Sequence, residues 1–281
     1  MIKYYTILLQ ILSGFLLLAS CAEKDEESPA NAAPVPDNAV DVHVIIGQSN
    51  STGMAHIYEL PEDMLKPLEG CYIYNKDNGK FEIMQAGVNT QTGKDQFGPV
   101  LKAAQLLQAH KKKDVYFVVA GTGGTQLYKS GTSAVQDWHP ESNEIFAQAT
   151  QTIDKARKAL EADGKQPVFK SIAWWQGEFD AQYQEKAADY QANEQALFAA
   201  LDQVAYLSST RRVVYRVFSD VEDMPYAQDV NDAKAKRAAA DKRTTLIQTD
   251  GYPRIPKDPI HASDQGLLQA GTDWFNAIKN L

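Results

Sequence analysis

Val42-His43-Val44-Ile45-Ile46-Gly47-Gln48-Ser49-Asn50-Ser51-Thr52-Gly53 is the stretch on which the reading of this chain turns. Its first five residues are apolar and β-branched but for one histidine, and a glycine follows at once, so they read as a buried strand ending in a tight turn. A serine stands in that turn with glycine on either side. A serine hydroxyl is a weak nucleophile until a base removes its proton. Taken alone, Ser49 suits a helix N-cap better than a nucleophile. The G-x-S-x-G nucleophile elbow is not matched, because Ser51 falls where its second glycine would be.

Four further runs of the same kind lie at residues 115–120, 168–175, 213–218 and 244–248. Between them, Tyr183, Ala187, Tyr190, Leu197, Leu201 and Val204 are spaced to line one face of a long helix, and shorter helices are expected at 100–109, 144–160, 233–240 and 265–278. Strand alternating with helix predicts an α/β fold: a three-layer α/β/α sandwich around a doubly wound, mainly parallel, five-stranded sheet. Such sheets take their ligands at the carboxyl ends of the strands.

The polar, glycine-rich segments do follow the strands. After 115–120 comes Gly121-Thr122-Gly123-Gly124-Thr125, where absent side chains let backbone N–H groups approach a ligand, as an oxyanion hole requires. A dinucleotide-binding turn competes with that reading, but the third glycine of G-x-G-x-x-G would fall on Gln126. A purely structural turn is a further alternative. After 168–175 comes Trp174-Trp175-Gln176-Gly177-Glu178-Phe179-Asp180, in which the Gln176 amide can donate to developing negative charge. Its two acids invite comparison with the paired carboxyls of glycosidases. Two residues apart at a strand end, they read more simply as loop and helix-start acids.

Near the end of the chain, Asp258-Pro259-Ile260-His261-Ala262-Ser263 sets an acid three residues before a histidine. Asp258 can then hold one ring nitrogen of His261 while the other faces a serine. A loop histidine ahead of a helix capped by Ser263 is the plainer alternative. His139, in Asp137-Trp138-His139-Pro140, is the rival base with a nearby acid, whereas His43 inside a strand and His110 beside a lysine run read as structural or solvated.

Upstream, Lys3 precedes residues 6–18, apolar apart from Thr6, Gln10 and Ser13 and too short to span a bilayer. Leu18-Ala19-Ser20-Cys21 resembles the lipobox of bacterial lipoproteins, which implies a signal peptide over 1–20 and acylation of Cys21. An ordinary secretory signal with a chance cysteine is the alternative. Residues 21–40, rich in acid, alanine and proline, cannot bury enough surface to fold and read as a disordered tether. Their acidic start resembles the export signal of Gram-negative surface lipoproteins, though a solvated linker would look the same. The expectation is an exported protein, lipid-anchored to the outer membrane, whose only membrane contact is that anchor.

Residues 41–281 then form one domain. A composition of 44% hydrophobic and 23% charged residues suits an ordinary globular core, and a net charge of −8 argues against nucleic acid as a partner. The basic run Lys111-Lys112-Lys113 sits between a helix and a strand, where a solvated helix end explains it. With Cys21 acylated, Cys71 has no partner for a disulfide, so the core must supply the stability. The histidines are scattered and no Cys/His cluster has ligand spacing, so no metal site is expected.

Taken together, G-Q-S-N at 47–50, G-G-T at 123–125, D-W-H-P at 137–140, W-Q-G-E-x-D at 175–180 and D-P-I-H at 258–261 resemble, in order and spacing, the sequence blocks of the SGNH hydrolases. Within these they are similar to the sialate O-acetylesterase-like branch that includes the family 6 acetylxylan esterases, with G-Q-S-N and W-Q-G-E-x-D the most specific pair. The resemblance implies a flavodoxin-like fold, no cofactor, and hydrolysis of acetyl esters on carbohydrate. It carries the nucleophile onto Ser49, the base onto His261 and the orienting acid onto Asp258. The oxyanion hole it implies is the backbone N–H of Ser49, one from Gly123 or Gly124, and the side chain of Gln176, where most SGNH enzymes use asparagine. Gln48, Asn50, Trp138 and Glu178 are the expected substrate contacts, and Trp175, Tyr128 and Tyr183 could add apolar faces for a sugar ring if they are not core. Two other readings stay open: a non-catalytic glycan-binding lipoprotein on an esterase fold, and a phospholipase or thioesterase on the same scaffold.

Overall fold

The computed structural model describes residues 36–129 and 135–281. The expected signal peptide, the expected acylation site Cys21 and most of the expected tether lie outside the described residues. The domain opens with β1 (Ala39–Gly47), two residues before the expected boundary, and continues with α1 (Ser49–Thr52), β2 (Ala55–His56), β3 (Leu68–Asn75), β4 (Lys80–Met84), β5 (Gln96–Phe97), α2 (Val100–Lys111) and β6 (Val115–Val119). It is completed by α3 (Ile145–Ala162), β7 (Gln166–Trp175), α4 (Gln184–Asp202), β8 (Arg211–Tyr215), α5 (Ala227–Ala240), β9 (Thr244–Ile247) and α6 (Asp264–Ile278).

The main sheet has seven strands in the order β4-β3-β6-β1-β7-β8-β9. The five expected strands are all present and parallel, in the order second, first, third, fourth, fifth, the flavodoxin-like doubly wound arrangement. The expectation of five strands is corrected to seven. β3 joins β6 in parallel, and β4 returns antiparallel to β3 as the edge of the sheet. These two escape a pattern reading because β3 is interrupted by Glu69-Gly70 and β4 alternates Lys80-Phe81-Glu82-Ile83-Met84, as a half-solvated edge should. The turn between them holds Gly79 at φ +72°, a conformation that disfavours other side chains.

Both faces of the sheet are covered. On one, His43 Nδ1 meets Ser171 Oγ at 2.8 Å and its ring stacks on Phe117, which meets Trp274 of α6 edge-on. Helices α2 and α6 pack together there. On the other lie Val42 and Phe169, the latter against Tyr206, while α4 and α5 pack on each other. Helix α3 forms because Ile145, Ala149, Ile153, Ala156 and Leu160 fall on one stripe and all are buried. Helix α6 starts where Ser263 Oγ accepts from Gly266 N–H, and it buries Leu267, Ala270, Trp274 and Ile278. Cys71, a free thiol, is buried in the core, and burial pushes its pKa up to about 12, so it is chemically inert.

Candidate active site

Three loops meet where β1 ends. Gly47 has φ +130°, and a Cβ there would lie 2.0 Å from the carbonyl oxygen of Trp175, so only glycine lets the turn pass the end of β7. Gln48 N–H donates to Trp175 O at 2.9 Å and Thr122 N–H donates to Gly47 O at 2.9 Å. The turns after β1, β6 and β7 are thus stitched together at the carboxyl edge of the sheet, where the strand order reverses. Ser49 is the first residue of α1, a position whose N–H has no partner within the helix. Gly123 lies beside it: a Cβ on Gly123 would stand 3.7 Å from Ser49 Cβ, whereas one on Gly124 would meet open space.

The loop between β9 and α6 brings in the imidazole. Ile255 N–H donates to His261 O at 3.0 Å and Arg254 pairs with Ala262, so the intervening residues form a closed excursion. Within it, Asp258 Oδ1 accepts from the backbone N–H groups of Ile260 and His261 at 3.1 and 3.2 Å, and Oδ2 accepts from His261 Nδ1 at 2.7 Å. Burial alone would raise the Asp258 pKa, but these hydrogen bonds from His261 and the backbone outweigh it and hold the carboxyl below its usual range. With Nδ1–H committed to a carboxylate, Nε2 is left as the acceptor, and it stands 2.8 Å from Ser49 Oγ. The His261 side chain is 21% exposed, so the site opens to solvent from this side.

The remaining expected site residues lie around the Ser49 turn with their side chains turned inward. Gln176 is fully buried; its Nε2 donates to Asp180 Oδ2 at 2.6 Å and lies within reach of Gln48 Oε1 and Thr125 O at 3.2 and 3.3 Å. Its amide hydrogens are therefore spent on bracing the three loops, which corrects the reading of this side chain as an oxyanion donor. The four expected substrate contacts, Gln48, Asn50, Trp138 and Glu178, are each enclosed more tightly than Ser49 and bonded within the protein, Asn50 to Glu178, Gln48 to Gln176 and Trp138 to Thr125, an arrangement that braces the site. Trp138 Nε1 donates to Thr125 Oγ1 at 2.9 Å, holding the end of the glycine loop. Trp175 stacks on Tyr215 in the core, while Tyr183 is 46% exposed with the Lys186 ammonium 4.2 Å from its ring centre.

The two acids of W-Q-G-E-x-D are both enclosed, which removes the glycosidase-like reading. Asp180 accepts from the backbone N–H groups of Leu127 and Tyr128, each at 2.9 Å, and burial pushes its pKa up to about 6 against those bonds. His139 accepts from its own loop, Glu141 N–H to Nδ1 at 3.3 Å. A supporting residue absent from the expectations is Lys234 of α5, fully buried, whose Nζ donates to Gln176 O at 2.5 Å and Tyr215 O at 2.6 Å. Burial lowers its pKa to about 8. Nothing in Ala233-Lys234-Ala235-Lys236-Arg237 separates it from its exposed neighbour Lys236.

A hydroxyl, an imidazole and a carboxylate in sequence at the carboxyl edge of an α/β/α sheet have the arrangement of a serine-hydrolase site. Comparison with known proteins gives the family: residues 39–280 match the carbohydrate esterases described as sialic acid-specific acetylesterases. The chain belongs to this family, and it is a carboxylic ester hydrolase acting as a carbohydrate O-acetylesterase. No curated protein sequence matches it. Among solved structures, a protein from Arabidopsis thaliana is similar at a TM-score of 0.67 and 18% identity, covering 86% of this chain and 98% of that one. NanS is similar at a TM-score of 0.60 and 14% identity, covering 86% and 99% of the two chains. A carbohydrate acetylesterase from Xanthomonas citri is similar at 0.56 and 14% identity, covering 84% of this chain and 55% of that one. At such identities the likeness is one of fold.

Proposed function

We propose that Ser49, His261 and Asp258 are the catalytic triad of this esterase and that its substrate is an acetylated polysaccharide or an O-acetylated sialic acid. The observation that carries the reading is the continuous path from Ser49 Oγ to His261 Nε2 at 2.8 Å and from His261 Nδ1 to Asp258 at 2.7 Å. His261 takes the Ser49 proton as Oγ attacks the acetyl carbonyl, and Asp258 stabilises the imidazolium that forms. The backbone N–H groups of Ser49 and Gly123 are the donors to the oxyanion, each worth roughly 3 kcal/mol of transition-state stabilisation if it behaves as other such donors do. His261 then protonates the departing sugar oxygen, and water activated by the same imidazole releases acetate. Ser49 is only 7% exposed, a narrow access that suits an acetyl group.

The tethered, exported location belongs to the same proposal: Leu18-Ala19-Ser20-Cys21 and the acidic stretch after it suit an anchored enzyme working on extracellular glycan. The test is a profile of acetate release from O-acetylated sialic acids, acetylated xylan and a series of aryl esters of growing chain length. Acetylated sugars should be turned over best. Faster hydrolysis of long-chain esters would favour the lipase or thioesterase reading, and no hydrolysis of any ester the glycan-binding one.

A further inference from the structure

We infer that Asn50 and Glu178 are positioning residues that hold His261 against Ser49, Asn50 by gripping the backbone on both sides of the histidine and Glu178 by fixing the direction of the Asn50 amide. The inference rests on the triad proposed above. Asn50 follows the serine directly and is buried. Its Oδ1 accepts from Ala262 N–H at 3.0 Å, and its Nδ2 donates to Ile260 O at 2.9 Å. One side-chain amide therefore bonds the residue before His261 and the residue after it, as a neighbouring peptide group in a sheet would. The second Nδ2 hydrogen goes to Glu178 Oε1 at 2.7 Å, so both amide hydrogens have partners.

This pattern admits only one orientation of the amide, since a flip would set oxygen against the Ile260 carbonyl and against Glu178. Glu178 is itself buried, and its Oε2 has no hydrogen-bond partner among the described residues. Burial raises its pKa against the pull of the Asn50 hydrogen bond, the Lys234 ammonium and His261. What Asn50 requires from position 178 is an acceptor oxygen for its second amide hydrogen, which a side-chain carbonyl supplies as well as a carboxylate. Because the grip runs from the residue beside the nucleophile to the two residues flanking the base, it sets the separation across which the proton moves. A displacement of about 1 Å at such a place costs on the order of 100-fold in rate.

The test measures kcat and KM for an aryl acetate with the full chain in detergent, for wild type, Asn50→Ala, Asn50→Asp, Glu178→Leu and Glu178→Gln, each checked by thermal unfolding. Asn50→Ala and Glu178→Leu should lower kcat by roughly 100-fold with KM little changed. Asn50→Asp, which turns oxygen against two acceptors, should be at least as slow. Glu178→Gln keeps an acceptor and should restore most of the rate lost in Glu178→Leu. Should Asn50→Ala fail to fold, the Glu178 pair still decides, because both of its members keep Asn50. Wild-type kcat in folded Asn50→Ala or in Glu178→Leu would overturn the inference, as would Glu178→Gln falling as far as Glu178→Leu. A wild-type chain inert on every acetate would instead remove the triad reading, and this inference with it.

Discussion

His261 Nε2 stands 2.8 Å from Ser49 Oγ although 212 residues of chain separate them. The serine is delivered by the first strand of the sheet and the histidine by the last loop before the final helix, so their meeting is a product of the whole fold. The acid is local by contrast, three residues from the base and bonded to its backbone as well as its ring.

That geometry makes Asp258→Asn a sharp probe. An amide can donate to Nδ1, which would place the imidazole proton on Nε2 and remove the acceptor facing Ser49. The expected outcome is a kcat lower by up to about 10⁴-fold with KM nearly unchanged, as for the equivalent change in a well-studied triad. Steady-state kinetics on an aryl acetate check it, and a loss confined to KM would contradict it.

Gly121 leaves no room for a side chain. A Cβ there would stand 2.4 Å from Ser51 Oγ and 3.0 Å from Thr52 Cγ2, inside the short helix that begins with Ser49. Gly121→Ala should push that turn out of register, lowering kcat and destabilising the fold by about 1–3 kcal/mol. Denaturant unfolding beside kinetics checks this; an unaltered kcat would mean that the turn relaxes freely.

Gln176 donates to Asp180 at 2.6 Å inside the protein. Gln176→Glu would put two carboxyls at that distance, where they can share one proton but cannot both ionise cheaply. The variant should approach wild-type stability near pH 5 and lose it as pH rises toward 8, when the shared proton is removed. Melting temperature against pH for the two proteins checks the sign. A deficit that grows on acidification would refute it.

His43 predicts the opposite slope. Burial lowers its pKa to about 3 in the folded chain, against an ordinary 6.5, so the unfolded state binds a proton that the folded state refuses. A depressed histidine contributes its full stability above pH 6.5 and loses it as pH falls toward 3, at up to about 1.4 kcal/mol per pH unit. Asp180, Glu178 and Glu194, whose pKa values burial raises, act in the other direction over part of that range. The contribution of His43 is therefore read as a difference: His43→Asn should lose stability less steeply between pH 6.5 and 4 than wild type. Parallel curves would contradict it.

The proposed anchor has its own test. Cys21→Ala should move the protein from the membrane fraction to the soluble fraction and abolish labelling by a radioactive fatty acid. A variant that stays in the membrane would exclude Cys21 as the attachment point.

Much of this was legible in the residues. Four of the five expected strands, β1, β6, β7 and β8, lie inside the sheet and carry largely buried apolar runs, and a pattern reading finds such runs readily. The β3–β4 hairpin escapes such a reading, since an edge strand keeps polar residues on one face and Gly70 breaks the other run, although Asp77-Asn78-Gly79 is a hairpin turn signal. In the site, motif spacing located every loop but not the direction of each side chain. Gln176, Glu178 and Trp138 are the residue types that contact ligands, and the same types also brace loops. Only burial separates the two uses, and burial at a strand end depends on neighbours such as Lys234 that the local sequence does not reveal.

The central claim is most directly tested by acetate release from an O-acetylated sugar by the purified chain and by its Ser49→Ala variant. The account predicts steady release by the wild type and a rate lower by about 10³-fold or more in the variant, with an unchanged melting profile. Equal rates in the two proteins would contradict it.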